Sequence, residues 1–107
     1  MKTLKFKSHL IKPILNKTKT TTWRLFDDKN ITENDEFIFI NSDTSEKFTH
    51  AVVESVIEKP FSELTDEDWA GHERFESDDL MYETYTKYYK QPVDENTLVK
   101  IIRFHLK

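Results

Sequence analysis

Alternating apolar and polar residues predict five strands in this chain, and their order restricts the fold more than any other feature of the sequence. The strand segments are 3–7, 20–26, 36–41, 47–59 and 97–106. The fourth is long for a single strand, so we expect it to be bent or bulged. Helical patterns follow only the first and fourth strands. Because strands and helices do not alternate regularly, the sequence predicts an α+β fold around a strongly curved sheet.

N-cap signals locate the helices in the second half of the chain. Ser77 is a candidate N-cap for a helix over 77–90, where acidic residues fill the first turn and lysines the last. Thr65 is a candidate N-cap in the acidic segment 62–79, which suits one or two short helices. The sequence thus predicts two to three helices beside the sheet.

The composition excludes several classes of protein. The chain has 107 residues, enough for one hydrophobic core, and we expect residues 1–107 to form a single domain. It has no cysteine, which excludes disulfides and thiolate metal sites and favours the cytoplasm. No segment approaches the roughly 20 apolar residues that cross a bilayer, so no membrane partner is expected. Gly71 is the one glycine, which excludes a glycine-rich phosphate loop.

Charge is distributed unevenly along the chain. Residues 1–26 carry seven Lys or Arg and no Asp or Glu, whereas the net charge of the whole chain is −4. This polarity is consistent with an anionic or polar ligand at the N-terminal third, and equally with a basic face that complements an acidic one. A protein that binds long nucleic acid non-specifically usually needs a broader basic surface.

The basic run KTKTTTWRLF, residues 17–26, contains candidate catalytic groups. In a strand over 20–26, alternate residues including Trp23 face the core, while Thr22 and Arg24 share the polar face. Lys19 can approach Thr22 only from the turn that enters the strand. A lysine whose pKa is lowered by desolvation can deprotonate a threonine hydroxyl, and an arginine can hold a carbonyl or anionic oxygen. An exposed strand without activity is the simpler alternative.

The segment around Gly71 offers a candidate carboxylate and no metal site. His72 and Glu73 begin like a His-Glu-x-x-His zinc helix, but the second histidine is absent, so no metal is expected. Gly71 either lets the backbone turn sharply and direct Glu73 inward, or simply ends a helix among solvated neighbours.

The run from Lys17 to Arg24 resembles the Gly-x-Lys-x-x-Glu/Thr-x-Arg signature of the ASCH domain, a branch of the PUA-like fold. The similarity extends over nearly the whole chain, from FKSHLIKPIL through LTDEDWAGHERFES to KIIRFHL. The resemblance implies a small β-barrel of about six strands with two to three flanking helices. It also implies RNA binding or, in one bacterial branch, the hydrolysis of the C–N amide bond of N4-acetylcytidine.

The resemblance assigns a role to each of these residues. It implies that Lys19 is the catalytic lysine, Thr22 the nucleophile and Glu73 the carboxylate. Substrate binding is expected from the basic and aromatic residues of the same run, Arg24, Lys17 and Trp23. Neither a metal nor a cofactor is required. The expected partner is a modified nucleoside or RNA, and the expected oligomeric state is a monomer or weak dimer.

The sequence departs from the signature at its first position, which holds Lys17 in place of glycine. That position is expected to close the helix of residues 8–17 in a left-handed conformation, which costs about 1 kcal/mol for a residue with a Cβ. Asn16 is the alternative residue for this role. Pro13 lies inside the pattern, so the regular helix is expected to begin only at Lys12 or Pro13.

Three functions fit these residues. The first is an amidohydrolase acting on an acylated nucleoside through Lys19, Thr22 and Glu73. The second is a non-catalytic RNA- or nucleotide-binding module that uses the same basic cleft, with Lys5 and Lys7 contributing and Trp23 or a tyrosine stacking on a base. The third is a protein-interaction domain whose contact surface is the acidic segment.

Overall fold

A computed structural model describes residues 2–27 and 29–107. Its strands are β1 (Lys2–Phe6), β2 (Thr21–Arg24), β3 (Glu36–Asn41), β4 (Lys47–Pro60) and β5 (Leu98–Leu106). Its helices are α1 (Ile11–Leu15), α2 (Asp66–Trp69) and α3 (Asp78–Tyr89), with short 3₁₀ turns at Ser8–Leu10 and Phe61–Glu63. The α+β class is therefore confirmed. Five strands form among the described residues, one fewer than the resemblance implied.

The five strands form one curled sheet, a half-barrel, in the order β1-β3-β4-β5-β2. β1 runs parallel to β3, and every other pairing is antiparallel. The register of β4 against β5 shifts between Val53 and Ser55, which confirms the expected bulge and adds curvature to the sheet. The curl brings the two edge strands near each other, and Arg24 Nη2 on β2 donates to the Lys5 carbonyl oxygen on β1 at 2.9 Å.

Each face of the sheet packs against its own hydrophobic cluster. Ile102 and Phe104 of β5 point into the half-barrel, together with the buried phenylalanines of β1 and β3. Val99 and Ile101 point to the other face, where they join Trp23 and α3. β2 is consequently buried on both faces, because Thr22 pairs with Ile102 and Trp23 with Ile101.

The predicted caps are confirmed. The Ser77 hydroxyl accepts a hydrogen bond from the Leu80 N–H at 3.1 Å at the start of α3. Thr65 and Asp68 form a reciprocal capping box at the start of α2, and Asp68 also pairs with Lys59 at 2.7 Å. Within the described part of the chain, no helix is long and apolar enough to span a bilayer.

The structure decides between the two residues that were candidates for the left-handed position at the end of the first helix. Lys17 has φ 68° and Asn16 has φ −88°, so the lysine, and not the asparagine, takes the left-handed conformation. α1 begins at Ile11, one residue earlier than expected. Pro13 is then the third residue of the helix, within the first turn, where a missing N–H breaks no helical hydrogen bond.

Candidate active site

The turn between α1 and β2 fixes the backbone of Lys19. The N–H groups of Thr18 and Lys19 both donate to the Pro13 carbonyl oxygen at 3.0 Å. The Asn16 amide oxygen accepts from the Thr18 hydroxyl at 2.7 Å. The left-handed Lys17 turns the chain back toward the sheet between these contacts. Lys19 therefore enters β2 from a turn with a defined direction, as the sequence predicted.

Gly71 joins the segment after α2 to the start of β2. Its carbonyl oxygen accepts from the N–H groups of Thr20 and Thr21, at 2.9 and 3.1 Å. Its φ is 76°, and a Cβ at this position would lie 2.1 Å from Thr20 Oγ1. Only glycine satisfies both the left-handed backbone and the close approach. Of the two alternatives for Gly71, the structure shows the turn that directs Glu73 inward.

Arg103 of β5 strengthens this junction. Its Nη1 donates to Thr21 Oγ1 at 3.2 Å, and its Nη2 donates to the Glu67 carbonyl oxygen. The Thr21 hydroxyl in turn donates to the Ala70 carbonyl oxygen at 2.9 Å. The guanidinium thus links β5 to the Glu67 carbonyl oxygen of α2 and to the Thr21 hydroxyl of β2.

Lys19 and Glu73 form a short, largely dry pair. Lys19 Nζ lies 2.5 Å from Glu73 Oε1 and 2.8 Å from the Thr21 carbonyl oxygen. The Lys19 side chain is 4% exposed, and that of Glu73 is 35% exposed. Burial lowers the pKa of Lys19 below its ordinary value, although the charge of Glu73 acts in the opposite direction. Burial acts to raise the pKa of Glu73, but positive charge on His72 and Lys19 lowers it overall.

His72 completes the buried cluster. Its ring stacks on Trp23 with the ring centres 3.9 Å apart, and its Nδ1 lies 2.8 Å from the Glu73 carbonyl oxygen. Its Nε2 lies 3.3 Å from Glu73 Oε1. Burial, with the charge of Lys19, lowers the pKa of His72 to about 4. The ring is therefore neutral near pH 7.

Thr22 and Arg24 lie on β2, after the turn that holds Lys19. Thr22 is buried, and its hydroxyl has no hydrogen-bond partner among the described residues, in contrast to the hydroxyl of Thr21. The Arg24 guanidinium stands 5.1 Å from the centre of the Phe6 ring. Its Nε is buried without a partner in the described part of the chain. Both residues thus have a polar group without a partner among the described residues, and both line the cavity described next.

A cavity of about 390 Å³ opens between the two edge strands and α3, a volume typical of small-molecule sites. Thr22, Arg24 and Glu73 line it together. Its aromatic wall includes Phe75 and, on α3, Tyr85, Tyr88 and Tyr89, and its cationic rim consists of Lys5, Lys7 and Arg74. Among residues 2–27 and 29–107, no three His, Asp or Glu side chains converge as a metal site would require.

Solved structures with the same architecture include an ASCH domain from Lactobacillus crispatus JV V101. It is 12% identical with a TM-score of 0.71, over 92% of this chain and 70% of that one. The ASCH protein of Zymomonas mobilis is 10% identical with a TM-score of 0.69, over 96% and 65% of the two chains. The hypothetical protein PH0355 is 18% identical with a TM-score of 0.73, over the whole of both chains.

The chain has the ASCH-domain fold. No protein-family model and no curated protein matches its sequence. At these identities the similarity shows the ASCH fold, and the chemistry depends on the residues themselves.

The structure brings some residues of the ASCH signature together and separates another. Lys19 meets Glu73, while Thr22 and Arg24 line the same cavity as that carboxylate. Lys17 lies elsewhere, in a second cavity of about 370 Å³, and Lys19 lines this second cavity and not the one that Thr22 lines.

Trp23 lines the first cavity but is only 3% exposed, with one face of its ring covered by His72. Tyr88, by contrast, is 49% exposed at the cavity wall.

His72 is the residue of the cluster to which sequence reasoning gave no role. Its position between the single glycine and Glu73 was the available signal, since a glycine that directs Glu73 inward directs its neighbour inward as well.

Proposed function

We propose that this chain is an amidohydrolase that removes the acetyl group from N4-acetylcytidine or a related acylated nucleoside. The observation that carries the proposal is the 2.5 Å contact between the buried amine of Lys19 and Glu73, a carboxylate that lines the same cavity as Thr22. Burial of a lysine amine favours its neutral form, which is the form that can act as a base.

The first step is attack by Thr22 on the acetyl carbonyl carbon. Two positions around Lys19 Nζ are taken by the Thr21 carbonyl oxygen and Glu73 Oε1, which leaves the lone pair of a neutral amine to accept the Thr22 proton. The oxygen of Thr22 then forms a C–O bond, and the carbonyl oxygen becomes an oxyanion. Arg24, which lines the same cavity, supplies a positive charge that stabilises that oxyanion.

The second step breaks the C–N bond. Glu73 gives a proton to the exocyclic nitrogen and takes up the proton held by Lys19, so that cytidine leaves as a neutral amine. Water, deprotonated by the same lysine, then attacks the carbonyl carbon of the acetyl-threonine ester. The C–O bond to Thr22 breaks, and the Thr22 oxygen takes the proton back from Lys19. Acetic acid leaves and loses its proton to solvent as acetate, so water and amide are consumed, amine, acetate and a solvent proton are formed, and the side chains return to their starting protonation states.

The test is turnover of N4-acetylcytidine by the purified protein, followed as release of cytidine and acetate. We expect Lys19→Met, Thr22→Val and Glu73→Gln each to lower kcat/KM by a factor of about 100 or more. Lys12→Ala, an exposed lysine of α1 outside the cavity, is the matched control and should retain wild-type turnover. No turnover by wild type, or full turnover by Lys19→Met, would reject the proposal.

Binding of a nucleotide or RNA without catalysis is the second candidate, favoured by the cationic rim. Lys5, Lys7 and Arg74 are exposed at the mouth of the cavity, where they can contact phosphates. Tyr88, exposed at the same mouth, offers a ring for base stacking. Affinity for a short single-stranded RNA should then fall steeply with added salt and fall further in Lys5→Ala/Lys7→Ala. Affinity that does not change with salt would reject this candidate.

A further inference from the structure

The contacts of His72 fix the position of its ring proton. A carbonyl oxygen can only accept a hydrogen bond, so the 2.8 Å contact between Nδ1 and the Glu73 carbonyl oxygen requires the proton to be on Nδ1. In a neutral ring, Nε2 then carries a lone pair. That lone pair points at Glu73 Oε1 from 3.3 Å.

Burial and the neighbouring cations favour the neutral form of the His72 ring. Its side chain is 2% exposed, and one face is covered by Trp23. The charged groups that face it are Lys19, Arg74 and Glu73, of which the two cations oppose a charge on the ring. Two groups that only accept, a carboxylate oxygen and an imidazole lone pair, would then face each other in a buried site. Such a contact is unfavourable unless a proton lies between them.

We propose that His72 is a positioning residue that holds a proton on Glu73 and thereby leaves Lys19 as the neutral member of the buried pair. The proton moves from Lys19 Nζ to Glu73 Oε1, and the resulting O–H donates to His72 Nε2. The transfer stays within the cluster, changes no net charge and needs no further reactant. Lys19 keeps a lone pair, while its two N–H groups still donate to Glu73 and the Thr21 carbonyl oxygen.

The proposed arrangement differs from the charged form of the cluster, in which the pKa of Glu73 is lowered. The groups that lower the pKa of Glu73 are positive charges on His72 and Lys19. Neither charge is present in the arrangement proposed, and burial then favours the protonated carboxyl. The neutral amine is the form that the proposed hydrolase requires, and this part of the inference rests on the proposed function. The tautomer of His72 and the position of the proton in the cluster do not depend on the proposed function.

Nuclear magnetic resonance tests the proton positions without any substrate. In protein with ¹⁵N-labelled histidine, the long-range ¹H–¹⁵N correlations of each ring distinguish its protonated from its bare nitrogen. The His72 signals are assigned by their loss in His72→Gln, with the exposed His50 as a reference ring. We expect His72 at pH 7 to carry its proton on Nδ1 and none on Nε2. A proton on Nε2, in either the neutral or the charged ring, would overturn the proposal.

The second measurement is the titration of the Lys19 amine, followed by the chemical shift of its Cε in wild type and in His72→Gln. The glutamine amide can donate to a carboxylate as readily as it accepts from a carboxyl, so it no longer favours the neutral pair. We expect the pKa of Lys19 to rise by about one unit or more in this variant. His50→Gln, the same substitution at an exposed site, should leave it unchanged. An equal Lys19 titration in wild type and His72→Gln would overturn the proposal, even if His72→Gln unfolds at a lower temperature.

These results separate the two proposals. A protein that does not hydrolyse N4-acetylcytidine but shows the expected Nδ1–H ring and the shifted Lys19 titration would reject the hydrolase and retain the role of His72. An active protein with a protonated Nε2 would do the reverse.

Discussion

Lys19 Nζ lies 2.5 Å from Glu73 Oε1, although the two residues are 54 positions apart in the chain. The contact joins the turn before β2 to the segment after α2. The amine is buried and the carboxylate faces the cavity, so the pair lies between the protein interior and the space where a ligand fits. Its function and its effect on stability can be separated by substitution.

Lys19→Met should abolish turnover without unfolding the protein. Removing the buried amine avoids its desolvation cost, and Glu73 is 35% exposed, so its carboxyl group can contact water or take a proton and is not left as an uncompensated buried charge. We expect the free energy of unfolding from urea melts to remain within about 1 kcal/mol of wild type or to rise. A loss of more than about 3 kcal/mol would show that the pair mainly stabilises the fold.

Gly71→Ala should destabilise the protein strongly. The new Cβ would lie 2.1 Å from Thr20 Oγ1, and the residue would have to keep a φ of 76°. The backbone conformation alone costs about 1 kcal/mol, and overpacking adds about 1–3 kcal/mol. Thr20→Ala removes the overlapping oxygen, so the double variant should recover the steric part and retain the backbone part. Equal and additive losses in the double-mutant cycle would contradict this account of the junction.

Lys17→Gly should stabilise the protein. Lys17 has φ 68°, a conformation that costs a residue with a Cβ about 1 kcal/mol relative to glycine. We expect the urea midpoint to rise by the equivalent of that free energy at unchanged slope. Asn16→Gly is the control: Asn16 has a negative φ and its side chain holds Thr18, so that variant should lose stability. If both glycines lower the midpoint, the left-handed turn does not have the strain assigned to it.

Acid should weaken the fold through His72. Its pKa is lowered by burial from 6.5 to about 4, so the unfolded chain binds a proton between these values that the folded chain does not. Stability therefore falls as pH decreases from 6.5 toward 4, by up to about 3 kcal/mol for this residue. Urea melts at several pH values test this against His72→Phe, which lacks the titrating group. The dependence on pH should be shallower in the variant, and parallel curves would contradict the assignment.

Local features of the fold could be predicted from the sequence because neighbouring residues determine them. The caps at Ser77 and Thr65 and the bulged strand β4 follow from short patterns, and the structure confirms all three. The strand order β1-β3-β4-β5-β2 could not be predicted, since alternating patterns define strands but not their partners.

At the candidate site too, individual residues can be predicted from the sequence, but the contacts between them cannot. Lys19, Thr22 and Glu73 were predicted from the signature and position, but the contact between Lys19 and Glu73 depends on the fit of Gly71 against Thr20, which only coordinates reveal. No role for His72 can be predicted from the sequence, because its role depends on which atoms of Glu73 its two ring nitrogens contact. Lys17, and not Asn16, takes the left-handed conformation because of contacts on either side of it. The Asn16 side chain accepts from Thr18, and the Pro13 carbonyl oxygen accepts from the N–H groups that follow Lys17.

The most direct measurement is kcat/KM for N4-acetylcytidine in wild type and in Lys19→Met, at the same pH and with folding of both proteins verified. The account predicts measurable release of cytidine and acetate by wild type and a loss of about 100-fold or more in the variant. Values within a factor of about three of each other, or no release by the folded wild type, would contradict it.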